Sequence, residues 1–210
     1  MNIVNPKTAL ISLSDKSNLD HIINFLIKKN IKILSTGGTY NAIKKITNSV
    51  IEVSEFTGFN EMMDGRVKTL HPKIHAGILA RRDSDLELLK EKGYEAIDLV
   101  IVNLYPFEET IKKDCSFEDA IENIDIGGPT MIRAAAKNFK DVVVLSDPND
   151  YEKITGEWDS NNGISYETRK HLSQKVFKLM ANYNKSISTY LQGDIEKVPN
   201  YNFLKSTALR

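Results

Sequence analysis

The chain has 210 residues, enough for one large domain to bury roughly 70% of its unfolded surface without covalent staples. Lys and Arg number 28, Asp and Glu also 28, so the formal net charge is zero. That balance argues against a whole-surface nucleic-acid or membrane binder but leaves room for a local cationic pocket. The single cysteine, Cys115, excludes an internal disulfide framework and a multi-cysteine zinc site. With no signal-type N-terminus and no apolar run near the ~18 residues of a membrane helix, the expectation is a soluble cytoplasmic protein.

In chain order, short β-branched runs alternate with helical patterns. Thr8 to Leu13 reads as a buried strand. Leu19, Ile22, Ile23, Leu26 and Ile27 then fall on one helical face, with Ser14 or Asp15 expected as the cap. Ile31 to Leu34 is a second strand, Gly37-Gly38 opens a short helix, and Val50 to Val53 is a third strand. A polar helix is expected over about 84–92, a strand at Leu99 to Leu104, and a capped helix after Ser116. Gly128-Pro129 starts a helix that runs through Ala134-Ala135-Ala136, and Val142 to Leu145 is the last strand. Gly156 to Gly163 reads as a loop, Ser165 to about Gln192 as a long amphipathic helix, and the tail past Val198-Pro199 has no pattern. Strands spaced by helices predict an open, mostly parallel α/β sheet, whose ligands bind beyond the C-terminal strand ends. Residues 12–16, 35–39, 103–107 and 146–148 are therefore the places to look.

Three segments carry anion-binding chemistry. Ser12-Leu13-Ser14-Asp15-Lys16 and Ser35-Thr36-Gly37-Gly38-Thr39 each follow a strand and combine hydroxyls with amide donors. Neither is a P-loop or a GxGxxG turn. Gly65-Arg66-Val67-Lys68-Thr69-Leu70-His71-Pro72 adds two cations; in extended chain Arg66 and Lys68 project to one side and would face one anion together. A solvated basic loop is the plainer reading of that segment alone. Two phosphate-type turns plus these cations favour one phosphate monoester over three coincidences. His71 and His75 are spaced like a helical zinc pair, but Pro72 between them and the lack of an adjacent glutamate argue against metal. Tyr105 emerges at the ligand edge of the strongest strand, Asp125 lies just before a helix start, and Lys137 lies on the Ala-rich helix. Packing, helix capping and solvation are the alternatives for these three.

Taken together, these motifs, with His75-Ala76-Gly77, Asn103-Leu104-Tyr105-Pro106-Phe107, Asp125-Ile126-Gly127-Gly128 and Arg133-Ala134-Ala135-Ala136-Lys137-Asn138, resemble the inosine monophosphate cyclohydrolase domain of the AICAR formyltransferase/IMP cyclohydrolase family. The resemblance spans the chain to about residue 190. It implies a methylglyoxal-synthase-like Rossmann variant with added C-terminal helices: a core over about 1–150, a helical extension over 151–194, and a linker over 195–210 toward an absent formyltransferase domain. The implied reaction closes 5-formamidoimidazole-4-carboxamide ribotide to IMP with loss of water, without cofactor or metal, in a protein that is homodimeric at full length. Formyl transfer is not expected of the chain as it stands. The resemblance places the 5′-phosphate among Ser12, Ser14, Lys16, Ser35, Thr36, Gly37, Gly38 and Thr39. Arg66, Thr69, Asn103, Ile126 and Gly127 complete the substrate site around catalytic Lys68, Tyr105, Asp125 and Lys137. The rivals are a nucleotide-binding regulatory module of the same fold, which would not need those four together, and a methylglyoxal synthase, against which the Arg133–Asn138 helix and the long C-terminal helix speak.

Overall fold

The structure, a computed structural model, describes residues 3–63, 65–113 and 115–193; the expected linker over 195–210 lies outside them. The elements run β1 (Ile3–Val4), β2 (Thr8–Ser12), α1 (Leu19–Lys28), β3 (Lys32–Ser35), α2 (Gly37–Lys44), β4 (Val50–Glu52), α3 (Val53–Thr57), α4 (Pro72–Leu79) and α5 (Leu86–Glu91). They continue with β5 (Leu99–Val102), α6 (Phe107–Lys112), α7 (Phe117–Glu122), α8 (Gly127–Lys137), β6 (Val143–Leu145), a 3-10 turn (Pro148–Asp150), α9 (Tyr151–Asn161), β7 (Ile164–Ser165) and α10 (Tyr166–Gln192).

Apolar β-branched runs with no polar alternation have to be covered on both faces, and parallel pairing with helical crossovers does that. The main sheet has the order β4-β3-β2-β5-β6 and every pair in it is parallel. Leu99 to Val102 of β5 are wholly buried, as are Ala9 to Ile11 of β2. The chain winds from β2 outward to β4, then returns to start β5 on the other side of β2. The switch point therefore lies between β2 and β5, which pair from Ala9↔Leu99 to Ser12↔Val102. Crevices form at such points beyond the carboxyl ends of the strands.

One face of the sheet is closed by α8, whose small Ala134, Ala135 and Ala136 let it settle against β5, β6, α4 and α10. The long α10 is held by a fully buried Arg169, which donates to the carbonyls of Phe139 (2.9 Å), Lys140 (3.0 Å) and Ile164. Ser173 adds a bond to the carbonyl of Ala136 at 2.7 Å. Its N-terminus is capped by Ser165, which accepts from the N–H of Thr168.

Several local expectations are corrected. Helix α1 begins at Leu19 behind a left-handed Asn18 with no side-chain cap bond, so neither Ser14 nor Asp15 caps it. Asp15 instead accepts from Ser17 in a tight turn before the helix. On α1 the buried set includes Phe25, and Ile27 is exposed, because ten residues at 100° each carry Ile27 past the core face. Val53 starts α3 rather than ending a strand. The segment 156–163 is not a loop: Tyr151, Ile154, Thr155 and Trp158 form the buried stripe of α9, and a left-handed Asn162 ends it. Trp158 packs edge-on to Phe25 of α1, and its indole N–H donates to Asn5 Oδ1 at 3.0 Å. Beside it, β1 and β7 make a two-strand antiparallel ribbon that ties the N-terminus to the start of α10.

Trp158→Ala should therefore cost about 3–5 kcal/mol, the range for a buried aromatic lost to a cavity, as a lowered midpoint in urea unfolding; a midpoint at the wild-type value would mean that α9 packs elsewhere.

Candidate functional site

At the carboxyl edge of the sheet, over the switch point, lies a cleft of about 780 Å³, within the usual range for a small-molecule site. Its floor is made by the turns that follow β2 and β3. Asn103, the first residue after β5, locks the first of these turns in place. Its Oδ1 accepts the N–H groups of Ser14 (2.7 Å) and Asp15 (3.1 Å), and its amide donates to the Asp15 carbonyl at 2.7 Å. Thr39 does the same from α2, exchanging two bonds with the main chain of Leu13. Lys16 folds back so that Nζ donates to the carbonyls of Leu13 and Ser14.

The second turn is an anion receptor in form. Helix α2 starts at Gly37 behind an extended Thr36 that makes no side-chain cap bond. The first amides of a helix have no partner within it, and the dipole there favours negative charge. Gly37 has φ +57°, a backbone shape that a side chain disfavours. Lys68 Nζ hangs over it: a Cβ on Gly37 would lie 3.6 Å from that nitrogen, and one on Gly65 3.3 Å. Thr36, Gly37, Gly38, Thr39, Ser12, Ser14 and Lys16 all line the cleft.

The opposite wall comes from the segments 65–69 and 121–127. Thr69 is buried against α8, so close that a Cβ on Gly127 would lie 2.7 Å from its Oγ1. Arg66 crosses to Glu122 of α7, pairing through Nε at 3.0 Å and through Nη2, and holds that carboxyl below its ordinary range. Arg66 and Lys68 thus both line the cleft, but by a turn closed by the Met62–Val67 bridge rather than by extended chain.

Asp125 sits where this wall meets α8. Its Oδ1 accepts the N–H of Gly128 at 2.8 Å, so the capping alternative and the cleft position hold together. That geometry demands glycine at 128: a Cβ there would lie 2.4 Å from Asp125 Oδ2 and 2.9 Å from Leu104. Burial pushes the Asp125 carboxyl above its ordinary 3.8, while the N–H groups of Gly128 and Tyr105 and the charge of Lys68 pull the other way. Tyr105, 49% exposed, reaches the cleft from the end of β5 as its position predicts.

Two predicted site residues are not brought into the cleft. Ser35 is fully buried and donates to the Ile11 carbonyl at 2.8 Å, tying β3 to β2. Lys137 is exposed at the far end of α8, ten residues and about 15 Å along the axis from Gly127, and is not among the lining residues. Sequence proximity to the Ala run does not make it a neighbour of Asp125. The two histidines diverge in role: His71 Nδ1 caps α4 by accepting the N–H of Lys73, while His75 is held below its ordinary 6.5 by burial. The residue that the sequence did not mark is Tyr183 of α10, whose hydroxyl accepts the N–H of Asp125 at 2.8 Å. Its place on the apolar stripe hides that polar role.

A parallel sheet with a glycine-rich helix start, an overhanging lysine and a buried carboxylate around its switch point defines an α/β domain with an anion-receptive cleft. The chain belongs to the MGS-like domain family, which matches residues 18–130. The AICARFT/IMPCHase bienzyme family matches residues 135–210. The bifunctional purine biosynthesis protein PurH of Fusobacterium nucleatum is 52% identical over 207 residues, 97% of this chain and 41% of that protein. PurH of Clostridium perfringens is 53% identical over 197 residues, 93% of this chain and 39% of that protein. The chain thus spans about two fifths of the length of these curated relatives. A solved structure, that of ForH, superposes with TM-score 0.76 at 32% identity, covering 89% of this chain and 99% of that one. Among the described residues no helix is long and apolar enough to cross a membrane.

Because the native carboxyl of Asp125 is raised, the folded state holds its proton to higher pH than the unfolded state, so this group's contribution to stability falls as pH rises past 3.8. Asp125→Asn, which keeps an acceptor for Gly128, should gain on wild type in urea unfolding as pH rises above that value and lose the advantage below it. A gap of the opposite sign would show that the carboxylate is stabilised in place.

Proposed function

We propose that this chain is a cyclohydrolase that closes 5-formamidoimidazole-4-carboxamide ribotide to IMP with release of water, the last step of purine synthesis. The observation that carries it is the convergence of Lys68, Tyr105 and Asp125 on one cleft whose floor is the open N-terminus of α2. The PurH relatives support the choice of substrate.

The 5′-phosphate docks on the amides of Gly37, Gly38 and Thr39, with Lys16 to balance its charge. The base then lies toward Asp125 and α8. Cyclisation forms a C–N bond between the carboxamide nitrogen and the formyl carbon. The carboxamide nitrogen loses one proton and the formyl oxygen gains one; the C–O bond then breaks as that oxygen takes a second proton and leaves as water, while the formamido nitrogen gives up its proton and forms the C=N bond. No electrons are gained or lost. Asp125, raised by burial, is the base for the nitrogen proton, and Lys68 and the Tyr105 hydroxyl stabilise and protonate the oxygen. Ile126 and Gly127 at the start of α8 line the same cleft, and in this scheme their amides add donors for the oxyanion. Both reacting groups sit on one ring, so holding them in plane supplies much of the acceleration.

Lys137 enters this scheme only from another copy of the chain, since within one chain it stands a helix length from Asp125. In that case the homodimer expected from the resemblance is the active unit, in a cytoplasmic, nucleotide-binding enzyme. A regulatory binding module would use that turn and leave Lys68 and Asp125 idle.

IMP formation from the formamido ribotide, followed by ultraviolet absorbance, tests the reaction. Lys68→Ala should lower kcat by about 10²–10³, the scale for losing one charge-stabilising group, while IMP still binds; a mutant that turns over normally sinks the scheme. Lys68→Ala and Lys137→Ala chains, each inactive alone, should regain roughly a quarter of wild-type activity when mixed and re-equilibrated, as expected for sites shared across a two-fold interface. A mixture as inactive as its parts would confine the site, Lys137 included, to one chain, and a Lys137→Ala chain of full activity would remove Lys137 from it.

A further inference from the structure

We infer that Tyr183 is a positioning residue for the cyclohydrolase reaction, fixing Asp125 through its main chain; the inference rests on the reading above. Asp125 is held by two bonds of different kinds. Gly128 N–H fixes the carboxylate, at 2.8 Å from Oδ1, and Tyr183 Oη fixes the backbone by accepting the Asp125 N–H, also at 2.8 Å. Together they set both the origin and the direction of the side chain. With only the first, the carboxylate would stay tied to α8 while the loop over 123–126 kept freedom to swing.

Tyr183 does not touch the substrate cleft. It opens on a second cleft of about 590 Å³ behind Asn103 and Tyr105, between α6 and α10, and reaches the catalytic loop from its rear. Its ring is 8% exposed and stands edge-on to Phe107, centroids 6.3 Å apart at 70°. Phe107 is also the first residue of α6, and its N–H bonds the carbonyl of Tyr105 at 2.8 Å. The main-chain N–H of Tyr105 also works against the burial that raises the Asp125 carboxyl. The two catalytic residues that come from separate loops are thus referenced to one aromatic pair, Phe107 and Tyr183. The phenol remains protonated at working pH, since burial raises it above its ordinary 10.0. It is a neutral acceptor and adds no charge to the carboxylate's surroundings.

The test is Tyr183→Phe, which keeps the ring and removes the acceptor, beside Tyr190→Phe, which removes the hydroxyl of the other α10 tyrosine packed on Phe107. Tyr183→Phe should lower kcat by about tenfold or more with KM within about twofold, the pattern of a misplaced reacting group with binding intact. Amide hydrogen exchange at Asp125 should accelerate in the ligand-free protein, and Tyr190→Phe should change neither. A Tyr183→Phe kcat within about twofold of wild type, despite faster exchange, would overturn the inference, as would an equal loss in Tyr190→Phe. If the variant does not fold, wild-type exchange decides: an Asp125 amide no more protected than its exposed neighbours overturns it as well. A wild-type chain that binds IMP but forms none removes the reaction itself, and this role with it, while exchange still reports the bond.

Discussion

The site depends on the side chain of Asn103 laid across the gap between β2 and β5. The ladder pairs those strands as far as Ser12↔Val102, and beyond it the chain leaves one toward β4 and the other toward β6. One amide ties these exits with two accepted bonds and one donated. Its cost is small, because the turn amides it satisfies would otherwise lie part-buried and unpaired. Once this turn is set, Thr39 can hold the adjacent main chain of Leu13, which fixes where α2 starts. The position of Lys68 over Gly37, and so the whole cationic side of the cleft, is measured from there.

The acidic side is built on another principle. Asp125 is buried, which disfavours its charged form, and the fold offsets that with amide donors rather than with a tight ion pair. A carboxylate held this way remains basic enough to take a proton. An adjacent salt bridge, like that between Arg66 and Glu122 at the mouth, would pull the other way. Among the described residues, the two carboxylates that line the cleft are thereby separated in kind: Glu122 exposed, paired and lowered; Asp125 shielded and raised.

The sheet was legible because its strands are runs of Val, Ile and Leu that only a doubly covered parallel sheet accommodates. The turns at 12–16 and 35–39 were legible for a related reason, since strand ends in such a sheet are where ligands bind. What failed to show had its signal masked by composition or distance. Helix α9 was hidden because Gly156, Asp159, Ser160 and Asn161 look like a turn, although Tyr151, Ile154, Thr155 and Trp158 keep helical spacing. Ser35 carries the same hydroxyl as Ser12, but its strand position points it to the Ile11 carbonyl, and one residue of pleat decides that. Lys137 was grouped with Asp125 by sequence, and a helix separates them. Tyr183 lies 58 residues from the group it holds, and no local pattern reveals such a bond.

The buried Arg169 has a consequence for how this chain tolerates sequence change. Among its acceptors are three main-chain carbonyls, those of Phe139, Lys140 and Ile164. Every amino acid supplies that oxygen, so these three bonds do not themselves depend on which side chains stand at 139, 140 and 164. For these bonds the identity that matters is that of position 169. Lysine there would present a single ammonium where a planar fork now reaches several oxygens at once. This part of the long helix's anchorage is thus written in backbone on one side and in a single side chain on the other.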